Sequence, residues 1–416
     1  LTLIEKEMAK INYIRLDEIP NFTGGAIGYI SYDCVTVFEP KIKDSIPPLK
    51  DSLGIPDALL MFCDTIVVFD HLFQTLRVIS HVFANKDEDL LESYAKTVKK
   101  IQKNLEKLER DVIPLPDQGH ITLGYEAVSN VGKSGYESFV KELKNFIVEG
   151  DIIQAVPSQR IKKKTDLHPF NAYRMLRRVN PSPYMFYMNF NNEFQFVGAS
   201  PEMLVKVAQN TVYTHPIAGT RKRGMTPLQD DELAAELLAD LKERSEHVML
   251  VDLGRNDINR VCDPNTVKVD SLMHIERYSH VMHLVSNVSG KLRKGKTSFD
   301  AFRSVFPAGT VSGAPKIRAM EIVYSLEKEK RGIYAGSVGY FSFDGDLDTC
   351  IAIRTMLFKD EHVYLQSGGG IVYDSVPEDE YEETLNKLRS NVTAIEKAEK
   401  FYHNISNQSK YLNIQI

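Results

Sequence analysis

The chain has 416 residues, 43% hydrophobic and 26% charged, ordinary values for a globular protein able to bury one large core or two closely packed ones. A formal net charge of −5 argues against nucleic acid as a partner, which usually requires a basic face. No apolar run reaches the length of a membrane span; the richest, DALLMFCDTIVVFDHLF, is broken by Asp64, Asp70 and His71.

From Leu1 to Asp111 short strands (GGAIGYISY, DTIVVFDH, LRVISHVFA) mix with one charged helix, DEDLLESYAKTVKKIQKNLEKLERD, and residues 1–111 read as an N-terminal domain. Residues 112–133, polar and Pro-containing, read as a linker. Residues 134–397 form the longer part, with helices YESFVKELKNFIVEG, NAYRMLRRV, LQDDELAAELLADLKERSEHVMLV and EDEYEETLNKLRSNVTAIEKAEKF. Strands FQFVGAS, HVMHLVSNVSG, SVGYFSF, TCIAIRTML and HVYLQSGGGIVY lie between them. Residues 398–416 read as a tail whose end, NISNQSKYLNIQI, has no clear pattern. Strands come in runs rather than alternating with helices, so the expected class is α+β, with large antiparallel sheets flanked by helices.

Cys34, Cys63, Cys262 and Cys350 are widely spread, without CxxC spacing or a nearby His cluster. They read as reduced, partly buried thiols of a cytoplasmic protein. No signal peptide is evident, and a chain that starts at Leu1 is expected to continue upstream to its natural start.

Two glutamate pairs at i,i+3 spacing carry the strongest chemical signal: Glu243 with Glu246, and Glu380 with Glu383. Each pair projects from one helical face, where like charges repel unless a cation lies between them. Two such faces suit a shared Mg2+, which takes hard oxygen ligands and keeps positions for water and an anionic substrate. The bland alternative is a pair of solvated, Glu-rich helix starts.

Other features are weaker singly. Gly290 to Thr297 satisfies the P-loop formula, but its intervening residues are long and basic. A polar turn is the better reading, with Thr297 and Asp300 capping the helix TSFDAFRSVF. Gly368, Gly369 and Gly370 offer backbone N–H groups to an anion. The loop from Pro307 to Lys316 feeds a helix with Pro315 in its first turn. Arg354, in the apolar strand CIAIRTML, is either half of a structural ion pair or a grip for a substrate carboxylate. His283, Gln154 and Glu202 say little in isolation. The sum is a metalloenzyme-like site for a small substrate with more than one carboxylate, its reaction unspecified.

Taken together, PIAGTRKRG, KERSEHVMLVDLGRND, ERYSHVMHLVSNVSG, FPAGTVSGAPK, RGIYAGSVGY, CIAIRTM, QSGGGIV and SVPEDEYEET resemble the chorismate-utilising enzymes, most closely the component I type of anthranilate synthase. The blocks run in the family's order and cover nearly all of residues 134–397, and residues 1–111 look like the domain that precedes it.

The resemblance implies Mg2+-dependent conversion of chorismate and ammonia to anthranilate and pyruvate. Glu246 and Glu383 would be direct Mg2+ ligands, with Glu243 and Glu380 reaching the metal's waters. Gly219, Thr220, Thr310, Gly368, Gly369 and Gly370 would contact substrate, Tyr334 and Arg354 would grip the pyruvyl carboxylate, and Lys387 would balance charge. Glu202 would protonate the departing 4-hydroxyl, and His283 would serve pyruvate elimination. Relatives that add water carry a lysine base at the position of Gln154, and aminodeoxychorismate synthases place a nucleophilic lysine at that of Ala218. Both departures favour anthranilate formation; aminodeoxychorismate synthesis stays as the alternative, and nucleotide binding rests on the Gly290 to Thr297 formula alone. No cysteine lies in a nucleophile elbow, so a partner glutamine amidotransferase (component II) would supply ammonia. Asn180, Pro181, Ser182, Pro183, Tyr184 and Met185 resemble one wall of the family's tryptophan pocket. The other wall would precede Leu1, so inhibition by tryptophan depends on that segment.

Overall fold

The computed structural model describes residues 1–413, apart from 17–18, 85–86, 88 and 279–280. Glu88 and His280, which the sequence pattern put in a helix and a strand, and residues 414–416 of the tail lie outside the described residues.

Two large sheets organise the chain. The nine-stranded sheet runs in the order Ile217–Lys222, Val281–Lys291, Thr211–Thr214, Met203–Ala208, Leu347–Ile351, Ser337–Ser342, Gly25–Ile30 and Ala58–Cys63, with Lys268–Arg277 also paired to Val281–Lys291. The six-stranded sheet runs Ala127–Ser129, Ser158–Lys164, His362–Gly368, Thr355–Lys359, Phe194–Ser200 and Tyr184–Phe190. Every ladder in both is antiparallel, as the runs of strands predict.

The sheets face each other over an aromatic core in which Tyr29 and Val338 of one meet Phe190, Phe194, Phe196 and Leu357 of the other. Strand Phe194–Ser200 is buried on both faces, hence its continuous apolar run where a half-exposed strand would alternate. The outer face of the nine-stranded sheet packs on helices Ser298–Val305 and Lys316–Glu327, through Phe299, Phe302, Met320 and Tyr324. Helices Pro169–Val179 and Pro377–Asn413 cover the six-stranded sheet through Leu176, Leu388 and Ile395.

Four local expectations need correction, the last of them at the final helix. The stretch LQDDELAAELLADLKERSEHVMLV is two helices, Pro227–Ala239 and Leu241–Asn259. Asp240 between them is extended, and its carboxylate accepts the N–H groups of Lys242 and Glu243, so a side-chain cap wins over helix continuation. Pro315 sits just before helix Lys316–Glu327 rather than in its first turn. The stretch TCIAIRTML is two strands in different sheets, Leu347–Ile351 and Thr355–Lys359, with Arg354 between them at φ +52°.

A second strand makes the same passage beside it. Phe194–Ser200 lies in the six-stranded sheet and Met203–Ala208 in the nine-stranded one, with Pro201 and Glu202 at the crossing. The two crossings are bonded together: Ala199 N–H donates to Arg354 O, Ile351 N–H to Glu202 O, and Ser200 Oγ to Ile351 O at 2.6 Å. Proline has no N–H to give a ladder, which ends the first strand there. The final helix, Pro377–Asn413, runs past the boundary expected at Phe401.

Candidate active site

Glu202 and Arg354, far apart in sequence, thus lie on adjoining strands where the pair leaves one sheet for the other, Glu202 opposite Ile351 and Arg354 opposite Ala199. Glu202 is buried, and Thr310 Oγ1 donates to its Oε1 at 3.0 Å. Burial outweighs that bond and pushes the carboxyl up to about 8, so at neutral pH it holds a proton. Arg354 forms no salt bridge among the described residues; its Nη1 donates to Lys387 O. The structural-ion-pair reading of this guanidinium thus finds no salt-bridge partner among the described residues, although the charge of Glu383 acts on it.

The two glutamate pairs come together from helices Leu241–Asn259 and Pro377–Asn413. Glu246 is raised above the usual carboxyl range by burial and then by the charge of Glu243, with Glu383 adding to it and Lys387 opposing. Gln154 Nε2 donates to Glu246 Oε1 at 3.4 Å. Glu380 is raised by burial and by Glu383; Ser375 Oγ donates to its Oε1 at 2.6 Å, and its buried Oε2 has no partner. Glu383 Oε1 lies 2.5 Å from Lys387 Nζ, which also donates to Gly368 O at 2.9 Å. Glu243 pairs with Arg221 at 3.2 Å, and Arg221 also holds Glu236 and Asp240.

Among the described residues no three His, Cys, Asp or Glu side chains converge closely enough to hold an ion as they stand. The donor set still fits a hard divalent cation: four carboxylates, mutual repulsion at Glu246, and an orphaned carboxylate oxygen on Glu380.

The three glycines make room. A Cβ on Gly368 would come within 3.0 Å of the Tyr334 hydroxyl, one on Gly369 within 2.9 Å of Glu380 Oε2, and one on Gly370 within 2.2 Å of Gln154 Nε2. The expected set of N–H groups free for an anion is incomplete, because Gly369 N–H donates to the Tyr136 hydroxyl at 3.0 Å. Close approach of backbone to the site is what this run supplies.

His283 faces a bulge at Gly219, between Ala218 and Thr220. His283 Nδ1 lies 3.1 Å from Gly219 O and 3.1 Å from Thr220 Oγ1. A carbonyl only accepts, so Nδ1 carries the proton and Nε2 the lone pair. Burial lowers the His283 pKa, and the Arg354 charge adds to this, so the ring is neutral near pH 7. Gly219, at φ +63°, also lies against Glu243: a Cβ there would meet Glu243 Oε2 at 3.0 Å.

Asn180 to Met185 lies apart from this group, from the end of helix Pro169–Val179 into strand Tyr184–Phe190. The Tyr184 hydroxyl there donates to Asp348 Oδ1 at 2.9 Å. Gly290 is a strand residue opposite Val212, and Thr297 caps helix Ser298–Val305 in a capping box with Asp300, so the P-loop formula marks a turn. Sequence reasoning did not single out Arg221, Ser375, Tyr136 or Arg331, which bond to Glu243, Glu380, Gly369 and Glu327 and belong to no spacing pattern.

Residues 2–393 match the model of the family described as chorismate binding enzyme. The chain belongs to the chorismate-binding enzyme family, on its anthranilate synthase component 1 branch. It is 57% identical to the probable anthranilate synthase component 1 of Schizosaccharomyces pombe, over 98% of this chain and 83% of that protein. Anthranilate synthase component 1 of Saccharomyces cerevisiae is 55% identical over 97% of this chain and 80% of its own length. The crystal structure of anthranilate synthase component I from Streptococcus pneumoniae superposes with a TM-score of 0.83 at 39% identity, covering 93% of this chain and 85% of that one. The antiparallel α+β fold expected of chorismate-utilising enzymes is the fold of this family member.

Proposed function

We propose that this chain converts chorismate and ammonia to anthranilate and pyruvate at the site built around Glu246, Glu383, Glu202 and His283, and that the reaction depends on Mg2+. The observation that carries the reading is the meeting of two glutamate pairs from separate helices; a buried, protonated Glu202 and a neutral His283 in the same chain supply an acid and a base to go with it. Glu246 and Glu383 would hold the ion, with Glu243 and Glu380 reaching its waters; when bound, it supplies positive charge to the ring carboxylate of chorismate.

Arg354 and Tyr334 grip the pyruvyl carboxylate. Glu202 gives its proton to the 4-hydroxyl, which leaves as water while ammonia bonds to C2. Gln154, with a neutral amide, cannot activate water as a base, which suits an incoming nucleophile that needs no activation. The lone pair on His283 Nε2 takes a ring proton from the aminated intermediate, and pyruvate leaves as the ring becomes aromatic.

Ammonia would come from glutamine through a separate amidotransferase, in keeping with the component 1 naming of the relatives. None of the four thiols suits glutamine hydrolysis: burial raises Cys34 and Cys262 to about 11, Cys350 to about 12, and Cys63 upward. The segment Asn180 to Met185 is the proposed wall of a tryptophan pocket. Cytoplasmic location is proposed with it; no helix among the described residues is long and apolar enough to cross a membrane. Incubation with chorismate, Mg2+ and ammonium, followed by anthranilate fluorescence, tests the reading, and an inert folded chain would end it.

A further inference from the structure

We infer that Arg331 is a positioning residue, a buried guanidinium that locks together the three segments presenting Gln154, Thr310 and Tyr334 to the substrate; the inference rests on the function proposed above. Its side chain is 1% exposed. Nε and Nη2 donate to the two oxygens of Glu327 at 2.9 and 2.8 Å. The rest of the fork goes to main-chain carbonyls, Nη1 to Val311 O at 3.0 Å and Nη2 to Val156 O at 2.5 Å. Val311 directly follows Thr310, and Val156 lies two residues after Gln154. The guanidinium carbon also stands 5.7 Å from the Tyr334 ring centre and 4.4 Å from that of Tyr32.

The node is anchored on both sides. Glu327 accepts the Ser158 N–H at 2.7 Å and the Ser158 hydroxyl at 2.9 Å, and Ser158 lies opposite Gly368 in the six-stranded sheet. Asp33, from the N-terminal part of the chain, accepts the N–H groups of Arg331 at 3.3 Å and Gly332 at 2.8 Å, and the Tyr324 hydroxyl at 3.3 Å. Arg331 therefore cannot shift without moving the backbone beside Gln154, Thr310 or Tyr334.

A purely structural ion pair is a poor explanation. Desolvating two buried charges commonly costs as much as their attraction returns, and apolar residues of similar volume fill such a space equally well. What apolar residues cannot do is hold two carbonyls from separate segments with one rigid, permanently charged fork.

The experiment compares wild type with Arg331→Lys and with the charge-free pair Glu327→Met/Arg331→Met. It reads thermal midpoint, kcat and KM for chorismate, and the aminated intermediate released into solution by chromatography. The double variant removes the buried ion pair together but leaves the Ser158 N–H and the Val156 and Val311 carbonyls without partners, so it is expected to melt below wild type and its kinetics are read at a temperature where both chains are folded. Its kcat/KM should fall about 100-fold, the scale of a small misplacement of reacting groups, with intermediate escaping before pyruvate is lost. Arg331→Lys, which keeps the charge and loses the fork, should show the same defect more mildly. Should the double variant not fold, Arg331→Lys decides alone. A folded variant with kcat/KM within about twofold of wild type and no released intermediate overturns the positioning role. Failure of wild type to form anthranilate would instead strike the functional reading.

Discussion

Thr310 Oγ1 donates to Glu202 Oε1 at 3.0 Å, and this bond opposes the burial that keeps the Glu202 proton in place. The carboxyl, at about 8, is a working acid below that pH and loses its proton above it. With free ammonia held constant, kcat/KM for chorismate should be level below about pH 8 and fall above it. Thr310→Val removes a bond that favours the charged form, so the falling limb should move to higher pH. A limb that stays in place would separate Thr310 from the acid.

The same group affects stability. Its carboxyl is near 4.5 when free and about 8 when folded, so between these values the folded chain binds the extra proton. Stability from this source is complete below about 4.5 and declines as pH rises through about 8. Glu202→Gln should flatten that decline in urea midpoints measured across the window, while sharply reducing turnover. An unchanged slope would mean that Glu202 titrates normally.

Glu246→Gln and Glu383→Gln should each remove most activity and raise the Mg2+ concentration needed for what remains. Glu243→Gln should be milder, about 10- to 100-fold, as befits a residue acting through the metal's waters. A Mg2+ titration of each variant checks the order, and near wild-type turnover in Glu383→Gln would remove the metal assignment.

Loss of the His283 ring should slow pyruvate elimination more than amination, by about 10²- to 10⁴-fold, the usual scale for an acid–base group. His283→Ala should then accumulate the aminated intermediate. If both steps slow equally and no intermediate is seen, the role is not specific to one step.

Glutamine alone should support no anthranilate formation by the purified chain, because all four thiols are held protonated. Adding the cognate amidotransferase should restore it. Substantial glutamine use without a partner would mean that a glutaminase site has been overlooked.

The sequence made the glutamate pairs legible because i,i+3 spacing survives any tertiary arrangement of a helix. Strand Phe194–Ser200 was equally plain, its span matching the apolar run FQFVGAS residue for residue. Arg354 was misplaced because apolar residues flank it on both sides in CIAIRTML, and nothing in a period-2 pattern marks a change of sheet; the sign is a left-handed φ that an Arg side chain does not advertise. The break at Asp240 was hidden for a different reason: an Asp in a Leu- and Glu-rich helical run reads as a surface residue until its cap bonds are seen. Arg331 was invisible because its partners are mainly carbonyl oxygens, which every residue carries.

The paired crossings at Pro201–Glu202 and at 352–354 stitch the two sheets like adjacent threads through cloth. Each thread is held on both sides of the crossing, by the ladder at Met203 in one sheet and by that at Thr355 in the other. The amides around the two crossings should therefore be among the last in the molecule to exchange with heavy water.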